Sequence, residues 1–212
     1  MNKKTADVSM VLLTGPSGAG KSVLAGLLER RSWGRVDGDA LAKSLYVPGS
    51  PLLRKLGKVF GSKVLRSDGF LDASVLGSVV FPDAGKRVVL NGIVARPFLR
   101  LLRARLAQAR GLGGNWVVEV AVYFDLGAPD LGVPVALVQA PLKVRVTRLL
   151  AMGLDGVRAA ARARALHFGA TERNRCDLVL DGGRTPAELL RDFERGWKTL
   201  NGSASRSNRM RP

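Results

Sequence analysis

The chain has 212 residues, 46% of them hydrophobic, which suits one α/β domain with a substantial core. Its single cysteine, Cys176, excludes a disulfide framework, and no apolar run approaches the roughly 18 residues that a membrane span requires. We therefore expect a cytoplasmic protein that does not enter a membrane.

The formal net charge of +17 is unusual for an enzyme that acts on small molecules. It indicates a nucleic-acid partner, a polyanionic small substrate, or arginines that only solvate the surface. The basic residues are spread along the chain, and only 6% of the residues are aromatic, without interleaving of arginine and aromatic side chains. A base-stacking surface is therefore not predicted, and nucleic acid is not the expected main partner.

The first predicted elements are a strand, a glycine-rich loop and a helix. Residues 8–13 form a short apolar run typical of a buried strand, and residues 22–31 carry leucine and valine at helical spacing. Between them, residues 15–22 read GPSGAGKS and fit the phosphate-binding pattern G-x-x-x-x-G-K-[ST]. Because strand and helix flank the loop as this motif requires, a bound nucleoside triphosphate is predicted.

The loop motif assigns a role to each of its parts. Its glycines let backbone N–H groups surround a phosphate, and the helix N-terminus adds about half a positive charge. Lys21 reaches the β- and γ-phosphates, and the Ser22 hydroxyl is a magnesium ligand. The predicted ATP-binding residues are Gly15, Ser17, Gly18, Ala19, Gly20, Lys21, Ser22 and Val23.

Further strands alternate with helices along the chain. Residues 34–37 form a short second strand that ends in Gly38-Asp39, and residues 40–112 are helical without a clear strand. Later patterns predict strands at 116–120, 133–138 and 177–181, and helices at 142–152, 157–166 and 186–200, the last capped by Thr185 with Glu188. This order predicts an α/β fold with a parallel sheet and right-handed crossovers.

Several classes of protein share the phosphate-binding loop. GTP-binding switch proteins also carry D-x-x-G and N-K-x-D, which this sequence lacks, and motor or transporter ATPases are longer. A small-molecule kinase remains. Such an enzyme needs an acid that holds magnesium, a site for the acceptor, and positive charge around the transferred phosphoryl group.

Three carboxylates follow predicted strands, at the sheet edge where the loop also lies. Asp37 and Asp39 follow the second strand, and Glu119 lies in the strand after the helical region. Asp39 is either the base that accepts a hydroxyl proton or the N-cap of the next helix. Magnesium is held by Glu119 or Asp39, directly or through water, unless Glu119 belongs to a structural ion pair.

Ordered motifs in the first half resemble those of the dephospho-coenzyme A kinase family. LTGPSGAGKS is similar to the family's L-T-G-G-I-G-S-G-K-S, VDGDALA to V-I-D-A-D-x-I-A, and VPGSP to V-x-P-G-x-P. The later segments FG, DGFLD and FPD also match, and the resemblance extends from about residue 9 to residue 198.

The resemblance implies a P-loop kinase fold: a three-layer α/β sandwich with a parallel sheet, a helical substrate-binding insertion and a lid. It divides the chain into a nucleotide-binding core (residues 1–39, 113–144 and 174–200), a CoA-binding insertion (40–112), a lid (145–173) and a disordered basic tail (201–212). The implied reaction is the last step of CoA synthesis, in which ATP phosphorylates the ribose 3′-hydroxyl of dephospho-CoA. Asp39 is then the base, Lys21 contacts ATP, and Ser22 holds Mg²⁺, to which the reasoning from strand position adds Glu119 as a second ligand. A monomer is expected.

The second half departs from the family pattern. Arg96-Pro97 replaces the family's H-P, which makes Arg96 a candidate contact for a substrate phosphate. The lid motif R-D/N-G-L reads AMGL at 151–154, so the usual arginine is missing. Its candidate replacements are Arg158, Arg162, Arg164 and Arg173. Two alternatives stay open: a kinase for another small nucleotide-like acceptor, and a basic nucleotide- or nucleic-acid-binding protein that has lost turnover.

Overall fold

The computed structural model describes residues 8–166 and 168–207, and in them five strands form one all-parallel sheet. The order across the sheet is β2-β3-β1-β4-β5. The strands are β1 (Val8–Thr14), β2 (Gly34–Asp37), β3 (Gly114–Glu119), β4 (Val135–Gln139) and β5 (Leu178–Asp181). The central strand is thus the one that leads into the phosphate-binding loop.

Helices cover both faces of the sheet. They are α1 (Lys21–Glu29), α2 (Gly38–Lys43), α3 (Pro51–Phe60), α4 (Ala73–Val80), α5 (Ala84–Leu112), α6 (Leu142–Ala151), α7 (Gly156–Arg164), α8 (Ala170–Asn174) and α9 (Pro186–Ser207). Met10 and Leu12 belong to a core under α5, whereas Val11 and Leu13 belong to a core under α1 and α9, because successive side chains of a strand point to opposite faces. The predicted three-layer α/β fold is confirmed.

The predicted insertion, residues 40–112, contains α3, α4 and the 29-residue helix α5. Local sequence explains where these helices begin. Ser50 accepts a hydrogen bond from the Leu53 amide at the start of α3, and Asp72 accepts two at the start of α4. α5 runs back along the sheet and buries Phe98 and Leu102 against it, so the insertion is anchored to the core.

Two features near the C-terminus bear on the sequence predictions. The predicted capping box is present, since Thr185 Oγ1 accepts from the Glu188 amide while Glu188 Oε2 accepts from the Thr185 amide. Helix α9 ends at Ser207, beyond the predicted end of the closing helix at residue 200, and the disordered tail at 201–212 stays a prediction. Residues 1–7, 167 and 208–212 lie outside the described residues.

The region predicted as the lid, residues 145–173, contains most of α6 and all of α7. These two helices pack on each other through Leu149, Ala159 and Ala163, which form a small separate core.

Within the described ranges, no helix is both long enough and apolar enough to cross a membrane.

Candidate active site

The phosphate-binding loop connects β1 to α1 with a backbone that only glycine adopts easily. Gly15 and Gly18 have φ angles of 137° and 78°. A β-carbon built on Gly15 would lie 2.1 Å from the Val138 carbonyl oxygen, and one on Gly18 would lie 2.7 Å from that of Arg145. No side chain caps α1, whose N-cap is Gly20, so its first N–H groups are available to an anion.

Lys21 is buried at the start of α1. Its Nζ donates hydrogen bonds to the carbonyl oxygens of Gly15 at 2.8 Å and Pro16 at 3.0 Å. Burial lowers the pKa of Lys21 from 10.5 to about 8, against the opposing effect of Glu119 and Asp39. The loop therefore folds around its own cation, which bound phosphates would stabilise in the charged form.

Ser22 and Glu119 meet beside the loop. The Ser22 hydroxyl donates to Glu119 Oε1 at 2.5 Å, and Arg35 donates to Glu119 Oε2 at 2.7 Å. Hydroxyl and carboxylate oxygens are the ligands that Mg²⁺ takes, usually completed by water and substrate phosphates. No group of three or more His, Cys, Asp and Glu residues in the described part of the chain could hold a metal. The Ser22 hydroxyl and the Glu119 carboxylate fit a Mg²⁺ ion whose other ligands come from water and phosphates.

Asp37 and Asp39, at the start of helix α2, have different roles. Asp37 is the N-cap of this helix, since its Oδ1 accepts from the amides of Asp39 at 2.9 Å and Ala40 at 3.0 Å. Asp39 is therefore not the cap. Its carboxylate is exposed and makes no hydrogen bond or salt bridge with any described residue, which leaves it available to a substrate.

Asp39 lines a cavity of about 310 Å³ between the loop and the insertion. Ser17 contributes the loop side, and α5 contributes Arg87 and Asn91. The remaining walls are mostly apolar, and they include Leu76, Val80, Phe81, Leu90, Val94 and Phe98. The arrangement fits an acceptor that has a flat apolar part and carries its reactive hydroxyl to Asp39.

Comparison with known proteins identifies the family. A family model described as dephospho-CoA kinase matches residues 9–185. A dephospho-CoA kinase from Anaeromyxobacter dehalogenans (strain 2CP-C) is 35% identical over 197 residues, which cover 92% of this chain and 93% of that protein. One from Geobacter sulfurreducens is 33% identical over 196 residues, covering 90% and 98% respectively. The chain belongs to the dephospho-CoA kinase family.

Solved structures share the fold of this chain. The crystal structure of TT1252 from Thermus thermophilus has a TM-score of 0.67 at 29% identity and covers 92% of this chain and 97% of that one. The dephospho-CoA kinase from Campylobacter jejuni shares the fold, with a TM-score of 0.62 at 16% identity over 93% and 100% of the two chains. The family resemblance drawn from the sequence motifs is confirmed, and the chain is a phosphotransferase.

In this dephospho-CoA kinase family member, arginines surround the loop although the usual lid arginine is replaced by Ala151. Arg148 Nη1 donates to the Gly18 carbonyl at 3.1 Å, and Arg145 donates to the carbonyls of Ala140 and Ala163. Arg145 also borders a second cavity of about 590 Å³, which Pro16 of the loop lines as well. Both residues belong to the predicted lid, residues 145–173, but were not among the four candidate replacements, although their three-residue spacing in α6 places them on one face.

The four proposed substitutes for the lid arginine occupy different positions. Arg162 lines the Asp39 cavity, and Arg173 lines the second cavity. Arg158 is exposed and pairs with Asp155 at 3.3 Å, and Arg164 is exposed and borders neither cavity. Of the four, only Arg162 and Arg173 therefore line one of the two cavities.

Arg96 is exposed on α5 and does not line the Asp39 cavity. Arg87 and Asn91, which sequence reasoning missed, lie four residues apart and share the face that borders it. Arg96 follows Asn91 by five residues, which turns a helix by about 140° beyond a full turn and points its side chain elsewhere. The role of Arg96 in substrate binding stays a prediction.

The predicted ATP-binding residues lie together in the loop and the first turn of α1. Ala19 is fully buried, whereas Val23 is half exposed. Sequence reasoning also missed Arg35. In the sequence, the only signal for this residue was its position two residues before Asp37 in the short strand β2.

Proposed function

We propose that the chain transfers the γ-phosphoryl group of ATP to the ribose 3′-hydroxyl of dephospho-CoA, giving CoA and ADP. The observation that carries the proposal is the Asp39 carboxylate, which has no salt-bridge partner among the described residues and lines a largely apolar cavity together with Ser17 of the phosphate-binding loop. A phosphate donor held by the loop and an acceptor held in the cavity would meet at this carboxylate.

Asp39 orients the acceptor hydroxyl and accepts its proton as the oxygen attacks the γ-phosphorus. Lys21 and the amides at the start of α1 hold the ATP phosphates, and Arg162 and Arg145, whose charges lower the pKa of Lys21, add positive charge nearby. Magnesium, held by Ser22 and Glu119 with the nucleotide, would neutralise charge on the β- and γ-phosphates.

The cavity also suits the acceptor that we propose. Dephospho-CoA carries an adenine ring and a diphosphate, and the apolar walls offer the ring a flat partner. Arg87 and Arg162 border the same space and supply positive charge for the diphosphate. The net charge of +17 favours the approach of both polyanionic substrates.

A coupled assay for ADP formation tests the proposal. Purified protein is supplied with MgATP and either dephospho-CoA, AMP, adenosine or no acceptor, and turnover is expected only with dephospho-CoA. Asp39→Asn should lower kcat by about 10²- to 10⁴-fold, whereas Asp37→Asn, which still provides an N-cap, should retain most activity. Turnover with another acceptor instead, or ATP binding without turnover together with salt-sensitive retention of nucleic acid, would refute it.

A further inference from the structure

Arg35 lies at the centre of three carboxylates from three different elements. Its guanidinium donates to Glu119 of β3 at 2.7 Å and to Glu29 at the end of α1 at 3.1 Å, and it lies 3.6 Å from Asp37, the N-cap of α2. The Arg35 side chain is 22% exposed and that of Glu119 is 12% exposed, so water screens these pairs only partly.

Two of the three carboxylates around Arg35, Glu119 and Asp37, serve a second partner in the active site. Glu119 uses Oε2 for Arg35 and Oε1 for the Ser22 hydroxyl. Asp37 uses Oδ2 for Arg35 and Oδ1 for the amides of Asp39 and Ala40. A continuous set of polar contacts therefore links Ser22 on the ATP side to the helix turn that carries Asp39 on the acceptor side.

We propose that Arg35 is a positioning residue that aims Glu119 at Ser22 and fixes the Asp37 cap beneath Asp39. The inference rests on the proposed roles of Ser22 and Glu119 toward magnesium. A planar guanidinium can donate to several carboxylates in fixed directions, which a lysine ammonium on a flexible stem cannot do.

Removing Arg35 leaves its three carboxylates without the cation that they share. Oε2 of Glu119 then loses its hydrogen bond from the guanidinium, so the carboxylate can rotate and move Oε1 away from Ser22. Repulsion among the carboxylates also acts on Asp37, whose cap contacts order the first turn of α2. Both effects reach the reaction without any contact between Arg35 and a substrate.

The test compares Arg35→Ala and Arg35→Lys with Arg31→Ala. Arg31 is a matched control because it also pairs with a glutamate, Glu194 at 3.0 Å, and that pair lies beside Trp33 and Trp197, outside both cavities at the loop. Binding of a non-hydrolysable ATP analogue is titrated with Mg²⁺. The half-saturating Mg²⁺ concentration should rise about 10-fold in Arg35→Ala, rise less in Arg35→Lys, and stay unchanged in Arg31→Ala.

Hydrogen exchange supplies a second readout that does not depend on activity. The amides of Asp39 and Ala40, which donate to Asp37, should exchange faster in Arg35→Ala than in the unmodified protein or Arg31→Ala. A folded Arg35→Ala with unchanged Mg²⁺ requirement and unchanged exchange overturns the proposal. If Arg35→Ala does not fold, Arg35→Lys decides, and a normal Mg²⁺ requirement in that variant overturns it.

The two proposals can fail separately. The Mg²⁺ titration needs neither acceptor nor turnover, so a protein that fails to phosphorylate dephospho-CoA can still show the role of Arg35. Conversely, the enzyme can turn over dephospho-CoA while Arg35→Ala leaves the Mg²⁺ requirement and amide exchange unchanged. The proposed function then holds and the role of Arg35 is refuted.

Discussion

The Ser22 hydroxyl donates a hydrogen bond of 2.5 Å to Glu119, although the two residues are 97 positions apart. The contact follows from the sheet. β1 and β3 pair in parallel with Leu13 opposite Glu119, so Glu119 lies at the carboxyl ends of the strands, where the loop begins. The long helical insertion thus leaves both parts of the nucleotide site in place, because the strand after it pairs directly with the strand before the loop.

We expect Ser22→Ala and Glu119→Gln to raise the Mg²⁺ concentration needed for half-maximal activity, each by about 10-fold. The double variant should need little more Mg²⁺ than the more impaired of the two single variants, because either change breaks the same pair. Activity measured against Mg²⁺ concentration checks this. Ser78→Ala is the control, since Ser78 is exposed on α4 and its hydroxyl donates to the Val75 carbonyl. Fully additive effects would show that the two side chains act independently.

ATP binding should be linked to proton uptake through Lys21. Its pKa is about 8 because burial lowers it, and bound phosphates raise it again, so the protein takes up a proton when ATP binds near or above pH 8. The charged form binds phosphate, so affinity should be highest below pH 8 and fall as the pH rises through that value. Calorimetry in two buffers of different ionisation enthalpy measures the uptake.

The same calorimetry separates Lys21 from other lysines. Lys21→Arg keeps a charge throughout this range and should abolish the uptake, whereas Lys86→Met, on the exposed start of α5, should retain it. Equal uptake in Lys21→Arg and the unmodified protein would assign the proton to another group.

Arg87 and Arg96 give different expectations for the acceptor. Arg87→Ala should raise the KM for dephospho-CoA about 10-fold through loss of a charge-assisted contact, with little change in the KM for ATP. Arg96→Ala should leave both constants unchanged if only the residues that line the cavity contact the substrate. Steady-state kinetics of the two variants decide between them, and the opposite pattern would support the contact inferred from sequence.

Arg87 also has a structural role that the experiment must separate. Its Nη1 donates to the Phe81 carbonyl at 2.6 Å and so ties α5 to the end of α4. Thermal unfolding of both variants measures that role. A raised KM in an Arg87→Ala protein of nearly normal stability reports the substrate contact.

The sequence predicts the loop and the sheet because these depend on local patterns. GPSGAGKS sits between an apolar run and a helical repeat, and both elements form as predicted. The adjacent Asp37 and Asp39 show where local reasoning stops. Either residue can begin a helix, and only the backbone geometry, with Asp37 extended at φ −88° and ψ 109°, assigns the cap to Asp37 and frees Asp39.

The residues missed by sequence reasoning depend on tertiary structure. The orientation of α5 about its axis decides that Arg87 rather than Arg96 lines the cavity, and packing on the sheet sets that orientation. Arg35 acquires its role from partners six and 84 positions away, on different elements. No spacing rule in a single sequence relates such residues, so their roles appear only once the chain is folded.

Gly182 should control the shape of the loop without contacting the substrate through a side chain. A β-carbon built on Gly182 would lie 1.8 Å from the Ala19 carbonyl oxygen, so Gly182→Ala must push the loop away from β5. We expect weaker ATP binding and a loss of about 2 kcal/mol in the free energy of unfolding.

Gly111→Ala is the control, because nothing lies within 4 Å of its β-carbon. This helical site should gain roughly 0.5–1 kcal/mol and keep normal ATP affinity. Denaturant unfolding and ATP titration measure both quantities, and unchanged ATP affinity in Gly182→Ala would show that the loop does not rest on Gly182.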